Sequence, residues 1–212
     1  MMKKPKTAVL DGDILVYKAA FWADMEGIDE LPDRLKYDVK KWTPKGCKPV
    51  LAFSCPRSQN FRRRFWPDYK AHRDDTMQPD SKDYAVEIIV DGFDVVEYPQ
   101  LEADDIMGIE ASAGDAIAVT IDKDLRCVPG WHWNPDREKK PVLVSEEDAD
   151  FFFYTQWMTG DATDNIPGLW KIGPKKAEKF LKDTDKENWV KEILELYRTE
   201  ERPEHKGRCG LD

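Results

Sequence analysis

Carboxylate side chains recur at short spacings at four places along this sequence. Each place holds two or three acids, and the segments are "DGD" (11–13), "EADD" (102–105), "DKD" (122–124) and "DATD" (161–164). Carboxylates this close repel one another, and burying several together raises their pKa values unless cations intervene. Oxygen donors of this kind suit hard divalent cations such as Mg²⁺ or Mn²⁺. Pairs of carboxylate-bound ions are a recurrent means of phosphoryl transfer.

The elements that must position these acids are predicted by apolar periodicity. Short apolar runs that end in acids or turn residues predict buried strands within the segments 7–13, 48–55, 93–99, 116–124 and, more weakly, 141–145. The first strand is expected to end at Asp11 and the fourth at Asp122. Helical patterns lie between them, at 14–25, 81–93, 102–114, 145–160 and 173–183. Strands alternating with helices predict an α/β fold with a mostly parallel sheet. Ligands bind at the carboxyl ends of such strands, so the first three acidic segments should project to one edge.

Each acid also has an ordinary structural explanation. Acids favour helix N-termini, which accounts for Asp104 or Asp105 taken singly, and Asp-Gly is a common turn pair, which accounts for Asp11. This explanation is less satisfactory for the acids taken together, because seven acids from three strand ends would share one crevice and repel one another. Other catalytic signatures are not indicated, since the sequence lacks GxSxG, Walker A and GxGxxG motifs and holds only three His.

Composition narrows the class of protein. No apolar run is long enough for a membrane helix, and we expect a cytoplasmic protein without membrane contact. Four Cys without C-x-x-C spacing argue against a zinc site or a disulfide framework. The net charge of −9 argues against a nucleic-acid partner when taken alone. Without the eight candidate acids the remainder is close to neutral, with basic patches at 61–73 and 170–182.

A known family shares the order and spacing of four segments, which are "VLDGD", "LEADDIMG", "TIDKDL" and "MTGDATDNIPGLWKIGPKKA". From about residue 7 to 183 the sequence resembles the 5′-nucleases, which include flap endonucleases, bacteriophage 5′–3′ exonucleases and the 5′-nuclease domain of bacterial DNA polymerase I. The resemblance implies a PIN-like sheet with flanking helices and a helix-hairpin-helix-type element. It also implies a nuclease core at 1–145 with an arch-like loop at about 65–100, a duplex-binding region at 146–198 and a tail at 199–212.

The resemblance further implies a metal centre of two Mg²⁺ ions, for which Mn²⁺ substitutes. The implied ligands are Asp11, Glu102, Asp104 and Asp105 in a first cluster, and Asp122, Asp124, Asp161 and Asp164 in a second. Asp104 is expected to be central to catalysis, Lys70 to approach the scissile phosphate and Arg73 to contact a phosphate. Asp13 is an outer candidate, because other members often have a non-acidic residue there. The hairpin element is expected to hold K⁺ through its carbonyl groups.

DNA contacts are implied at both basic patches. The implied residues are Arg62, Arg63, Arg64, Tyr69, Lys70, Arg73, Lys171, Gly173, Lys175, Lys176 and Lys179. Tyr69 either stacks on a base or packs internally. The lysines of 171–179 either attract phosphates in a salt-dependent way or form a solvated helix face. Gly160, Gly168 and Gly173 are expected to let the backbone approach a phosphate.

One departure from the family bears on activity, since many members carry an Asp where this sequence has Cys55. The leading hypothesis is a monomeric, Mg²⁺-dependent 5′-nuclease that acts on duplex or flapped DNA and extends to the RNA of RNA–DNA hybrids. A DNA-binding relative with weak or no cleavage is one alternative, and a PIN-type ribonuclease is another. Exonuclease and flap-endonuclease action are left undecided.

Overall fold

A computed structural model describes residues 5–71 and 76–200 of the chain. It divides into two compact units, one on either side of Asp150, and each is described by itself. Residues 201–212, which are most of the predicted tail, lie outside the described residues. Arg73 also lies outside them.

The first unit is built on a six-stranded sheet. Its strands are β1 (Thr7–Asp11), β2 (Lys48–Phe53), β3 (Val95–Glu97), β4 (Ala116–Val119), β5 (Gly130–Trp133) and β6 (Val142–Val144). The strand order is β3-β2-β1-β4-β5-β6, and all neighbours pair in parallel except β5 and β6. The predicted α/β fold with a mostly parallel sheet is confirmed. The chain leaves β1 toward β2 on one side and reaches β4 on the other, so a crevice opens at their carboxyl ends.

Helices cover both faces of this sheet. They are α1 (Gly12–Glu26), α2 (Leu31–Trp42), the short α3 (Arg62–Phe65), α4 (Lys82–Gly92) and α5 (Ala103–Ser112). One core joins α1, α2 and α4 to side chains such as Leu10 of β1, and the other joins α5 to Val9. The central strands β1 and β4 are buried on both faces, which explains their continuous hydrophobic runs in the sequence.

The turn from β1 into α1 requires a glycine. A Cβ atom on Gly12 would lie 2.7 Å from the carbonyl oxygen of Ala52 and 2.9 Å from the ring of Phe53. The helix can therefore begin directly after Asp11, because the backbone passes close to β2. Strand β1 ends at Asp11 as predicted, and Asp13 belongs to the first turn of α1.

The second unit is helical. Its elements are α6 (Glu146–Thr159), which begins before the boundary, a two-stranded ribbon of β7 (Gly160–Asp161) and β8 (Ile166–Pro167), α7 (Pro174–Asp183) and α8 (Trp189–Thr199). Its core gathers side chains such as Met158, Leu181 and Ile193, and the indole of Trp189 donates hydrogen bonds to the carbonyls of Leu181 and Thr184.

Several elements differ from the sequence predictions. Helices α2 and α8 and strand β5 were not predicted, and β4 ends at Val119, before the predicted end at Asp122. The range 65–100, predicted to hold an arch-like loop, contains α4 and β3, which agree with the helix and the strand predicted at 81–93 and 93–99. In the described ranges no helix is both long enough and apolar enough to cross a membrane.

Candidate active site

The floor of the crevice is formed where β1 and β4 end. Asp11 is 3% exposed, and it caps α1 by accepting a hydrogen bond from the Ile14 amide at 3.0 Å. Its other carboxylate oxygen accepts a hydrogen bond from the Thr120 hydroxyl at 2.8 Å. The same hydroxyl oxygen accepts a hydrogen bond from the Asp122 amide at 3.1 Å. Thr120 therefore couples the acid at the end of β1 to the acid that follows β4.

Asp104 faces these two acids from the first turn of α5. Burial raises the pKa of Asp104 well above its usual value, and the charges of Asp11 and Asp122 raise it further. Burial likewise raises the pKa of Asp11 to about 7, with repulsion from Asp13 and Asp122 adding to the effect. In the part of the chain that is described, no hydrogen bond or ion pair reaches the Asp104 carboxylate. The structure thus brings Asp11, Asp104 and Asp122 together, and the charge of Lys70 offsets their repulsion at Asp104 only in part.

Asp105, the next residue along, lies in opposite surroundings. The guanidinium of Arg62 donates to both of its oxygens, at 2.6 and 2.7 Å, and the Glu102 amide donates to one of them at 2.9 Å. Burial tends to raise the pKa of Asp105, but the hydrogen bonds and charge of Arg62 outweigh it and lower the pKa below its usual value. Asp105 was predicted to bind metal. That role stays a prediction, while in the structure both of its oxygens are occupied, and it caps α5 and anchors Arg62.

Glu102 is held by two residues of the segment after α3. It accepts a hydrogen bond from the Tyr69 hydroxyl at 2.7 Å and lies 3.1 Å from the Lys70 ammonium. Tyr69 is only 4% exposed, so the structure shows the packing alternative and not a ring free to stack on a base. The Lys70 backbone has a φ of 52°, in the left-handed region. Lys70 therefore reaches the acidic crevice, as expected for a residue near the scissile phosphate.

Asp13 belongs to a network that joins three elements of the site. Its carboxylate accepts hydrogen bonds from the amide of Ser54, at 3.2 Å, and from the Ser54 hydroxyl. The Ser54 oxygen in turn accepts a hydrogen bond from the Ala103 amide at 3.0 Å. The network links the start of α1, the end of β2 and the start of α5. The sequence carried no signal for Ser54, because its partners lie far away along the chain.

Cys55, where many family members carry an acid, is a buried thiol. It is 5% exposed, and its amide donates to the Leu101 carbonyl at 2.9 Å. Burial raises the pKa of the thiol, and the charge of Glu102 raises it further. A neutral thiol is thus favoured at this position, and it supplies no negative charge to the crevice.

The remaining predicted acids lie in two turns. Asp124 opens a short 3₁₀ helix, Asp124–Cys127, and its amide donates to Asp122 at 2.8 Å. Asp161 accepts hydrogen bonds from the Thr163 and Asp164 amides at 2.7 and 3.3 Å, within the ribbon turn of the second unit. Their part in a second metal cluster stays a prediction.

The ribbon glycines serve a packing role. A Cβ on Gly160 would lie 2.2 Å from the Gly168 amide nitrogen, and one on Gly168 would lie 2.1 Å from the Thr159 carbonyl carbon. These two positions are glycine because the strands of the ribbon cross closely, whereas the sequence interpretation assigned them to phosphate approach. Gly173 differs, because a Cβ there would meet nothing within 4 Å.

The predicted DNA-binding cations of the second unit are exposed. Lys171 lies just before α7, and Lys175, Lys176 and Lys179 lie within it. The N-cap of this helix, Gly173, provides no side-chain hydrogen bond. Lys176 donates to the Lys171 carbonyl at 3.0 Å, and Lys179 lies 4.0 Å from Asp183. In α3, Arg64 is exposed and Arg63 is partly buried. These surfaces are accessible to a phosphate backbone, except at Arg62, which Asp105 holds.

The acidic side chains of the crevice are candidate ligands for a metal ion. Across residues 5–71 and 76–200, no group of three or more Asp, Glu, His or Cys side chains forms a ready-made metal cluster. Two of the predicted donors are engaged by cations, Glu102 by Lys70 and Asp105 by Arg62. The three acids on the crevice floor nevertheless fit a hard cation chemically, because they are oxygen donors whose mutual repulsion a cation would relieve.

This crevice at the carboxyl edge of a parallel sheet is typical of metal-dependent phosphoryl-transfer enzymes. No protein-family model matches the chain. The chain is 30% identical over 201 residues to the exodeoxyribonuclease of Enterobacteria phage T3 and 30% identical over 199 residues to the exonuclease of Escherichia phage T7. Each match covers 82% of this chain, and the chain spans 66% and 65% of the length of these relatives.

Solved structures agree on the fold. The T5 D15 protein, co-crystallised with metal ions, superposes with a TM-score of 0.63 at 15% identity, covering 91% of this chain and 86% of that one. The catalytic core of Rad2 in complex with DNA substrate gives a TM-score of 0.53 at 16% identity, covering 94% of this chain and 69% of that one. The chain is thus similar in sequence to phage exonucleases and shares the fold of the T5 D15 protein and of Rad2.

Proposed function

We propose that this protein is a metal-dependent 5′-nuclease that hydrolyses phosphodiester bonds at or near the 5′ end of duplex or flapped DNA. The observation that carries the proposal is the convergence of Asp11, Asp104 and Asp122 at the carboxyl edge of the sheet, with raised pKa values for the first two. The names of the phage relatives support exonuclease action. The DNA-bound Rad2 structure supports DNA as the partner.

The proposed cofactor is a pair of Mg²⁺ ions, for which Mn²⁺ would substitute. Asp11, Asp104 and Asp122 would hold the first ion, and Asp124, Asp161 and Asp164 are the further donors that the family resemblance implies. Glu102 is left out of this set, because Tyr69 and Lys70 engage its oxygens. When bound, such ions activate water and stabilise the leaving oxygen. Asp105 is left out of the donor set, because Arg62 occupies both of its oxygens.

The residues around Glu102 prepare the site for an anionic substrate. Lys70 would stabilise negative charge that develops on the scissile phosphate, since its ammonium is already at the crevice and its side chain is only 17% exposed. The Arg62–Asp105 pair fixes the first turn of α5 and hence the position of Asp104. Arg73 is proposed as a phosphate contact, on the family resemblance alone.

The second unit is proposed to hold the duplex. The start of α7 offers amide groups with no side-chain cap beyond Gly173, which suits an anion. Four exposed lysines next to it would add salt-sensitive attraction to phosphates. A K⁺ ion bound by backbone carbonyls of this element is part of the proposal, as is action as a monomer.

A cleavage assay separates this function from its alternatives. The substrates are a 5′-labelled flap, a blunt DNA duplex, an RNA–DNA hybrid and single-stranded RNA, each incubated with Mg²⁺ or EDTA. Mg²⁺-dependent cleavage of a duplex or flap supports the proposal, and Asp104→Asn is the matched control for contaminating nucleases. Binding of duplex without cleavage would favour the DNA-binding alternative. Cleavage confined to single-stranded RNA would favour a PIN-type ribonuclease.

A further inference from the structure

A cavity of about 170 Å³ lies beside the acidic crevice, at the carboxyl ends of β4 and β5. Thr120 and Asp122 form its border with the crevice, and Lys123, Arg126 and Arg137 line it further out. Sites for drug-sized ligands occupy roughly 300–1,000 Å³, so this cavity suits one small group and not a whole nucleotide.

The outer wall of the cavity is a fixed turn at 134–138. Glu138 binds the Arg126 guanidinium at 2.5 Å and accepts a hydrogen bond from the Asn134 amide at 2.8 Å. The Trp133 indole donates to the Glu138 carbonyl at 3.0 Å, and the Asn134 side chain donates to the Ile121 carbonyl at 3.2 Å. This network neutralises Arg126 and holds the turn in place without using Lys123 or Arg137.

Lys123 and Arg137 are therefore the uncompensated cations of the cavity. Both are exposed, and within the described ranges neither forms an ion pair with an acidic side chain. The lining carries three cations against the two acids Asp122 and Glu138. His132, at the buried end, adds no positive charge at neutral pH, because burial lowers its pKa to about 4. The cavity thus has a positive balance directly beside a crevice of acids.

We propose that this cavity binds a phosphate group of the nucleic-acid strand next to the scissile bond, with Lys123 and Arg137 as its ligands. The inference rests on the proposed nuclease function. A phosphate is favoured because two cations converge on a small cavity that shares Thr120 and Asp122 with the crevice. A strand whose scissile phosphate lies over the acids would place a neighbouring phosphate beside them. That phosphate is either an internal linkage or the 5′-terminal phosphate, and the two sources are distinguished by substrate chemistry.

The test is a binding measurement by fluorescence anisotropy in EDTA, where metal-dependent cleavage does not proceed. Lys123→Ala/Arg137→Ala is compared with Lys139→Ala/Lys140→Ala, a control pair that removes the same charge from exposed residues of the following segment outside the cavity lining. We expect the cavity variant to bind duplex about tenfold more weakly than the control. The slope of log affinity against log salt should be smaller in magnitude for the cavity variant than for the control by about 1, because one phosphate contact is lost.

Duplexes that lack the charge of one phosphate identify which phosphate the cavity binds. Duplexes with a single methylphosphonate linkage at successive positions, and duplexes with a 5′-hydroxyl or a 5′-phosphate, are bound to wild type and to the cavity variant. One substitution should weaken wild-type binding and leave the variant unaffected. If only the 5′-hydroxyl duplex shows this pattern, the source is the terminal phosphate. Equal penalties in both proteins at every position would overturn the assignment, while duplex cleavage by wild type would still stand.

Discussion

Two neighbouring acids on the first turn of α5 lie in opposite electrostatic surroundings. Asp104 faces Asp11 and Asp122, and its pKa is raised, whereas Asp105 is bound by Arg62 and its pKa is lowered. Both acids look equivalent in the sequence, and either would satisfy a helix N-terminus. The difference shows that one carboxylate stabilises the fold while its neighbour is held in an unfavourable place that only a cation would relieve.

The same division extends across the site. The Arg62 side, with Tyr69, Lys70 and Glu102, is a paired network that should stabilise the protein without any ligand. The Asp11 side holds buried like charges, an arrangement typical of functional sites that cost stability. Neutralising one acid at a time tests whether the two sides of the site differ in this way.

The largest effect is expected for Asp104→Asn. Cleavage of duplex should fall by roughly 10³-fold or more, because the amide cannot replace a carboxylate in binding a divalent cation. The free energy of unfolding should rise without metal, because the substitution removes a buried charge next to Asp11 and Asp122. Cleavage kinetics check the expected loss of activity, and urea unfolding checks the expected rise in stability. Retained cleavage would place the site elsewhere.

The second largest effect is expected in the pH dependence of folding stability, through Asp11. Its pKa is about 7 in the folded protein, against an ordinary 3.8, so the stability it contributes is present below about pH 4 and lost as pH rises toward 7. His132 acts oppositely, with a folded pKa of about 4 against 6.5, so its contribution is lost as pH falls from 6.5 to 4. Comparing Asp11→Asn with wild type cancels the His132 contribution, which both proteins share.

In EDTA, the advantage of Asp11→Asn over wild type in unfolding free energy should grow from pH 4 to pH 7. The gain should reach up to roughly 4 kcal/mol. Mg²⁺ should shrink it by stabilising wild type. A pH-independent difference would show that Asp11 is not held in an unfavourable environment.

Asp105→Asn should change the free energy of unfolding in the opposite direction to Asp104→Asn. The free energy of unfolding should fall by about 2 kcal/mol, because the partly buried guanidinium of Arg62 loses a bidentate ionic partner. The control is Glu195→Gln, which breaks an exposed pair with Arg198 and should change stability by less than about 0.5 kcal/mol. Chemical unfolding of both variants checks the prediction. A stabilised Asp105→Asn protein would erase the distinction between the two acids.

The smallest effect is expected for Ser54→Ala. The substitution leaves the Ala103 amide without its acceptor and takes one donor from Asp13, at a cost of about 1 kcal/mol in unfolding free energy. Ser54→Thr, which keeps the hydroxyl, is the matched control. Thermal unfolding checks the pair, and equal stability of Ala and Thr variants would show that the network does not hold α5.

The crevice could be predicted from sequence because its acids follow apolar strands. Asp11 and Asp122 come directly after short buried runs, and Asp104 opens a helix, so a parallel sheet must bring them to one edge. Helix α2 also carried a readable signal, since Leu31, Leu35, Val39 and Trp42 recur at helical spacing. Strand β5 carried a weaker signal, because it is only four residues long and two of them are Trp.

The pairing of the acids could not be predicted in the same way. Arg62 reaches Asp105 across 43 residues, and Tyr69 reaches Glu102 across 33. Such contacts depend on how the segment after β2 returns to the sheet, and local patterns do not encode that path. The roles of Asp104 and Asp105 therefore separate only in three dimensions.

Mn²⁺ binding to three proteins tests the central claim most directly. Free Mn²⁺ is followed by electron paramagnetic resonance during titration of wild type, Asp104→Asn and Asp105→Asn. We predict that Asp104→Asn binds at least about 100-fold more weakly than wild type at one site, whereas Asp105→Asn stays within a few-fold of it. An Asp104→Asn isotherm that matches wild type would contradict the claim that the unpaired acids form the metal site.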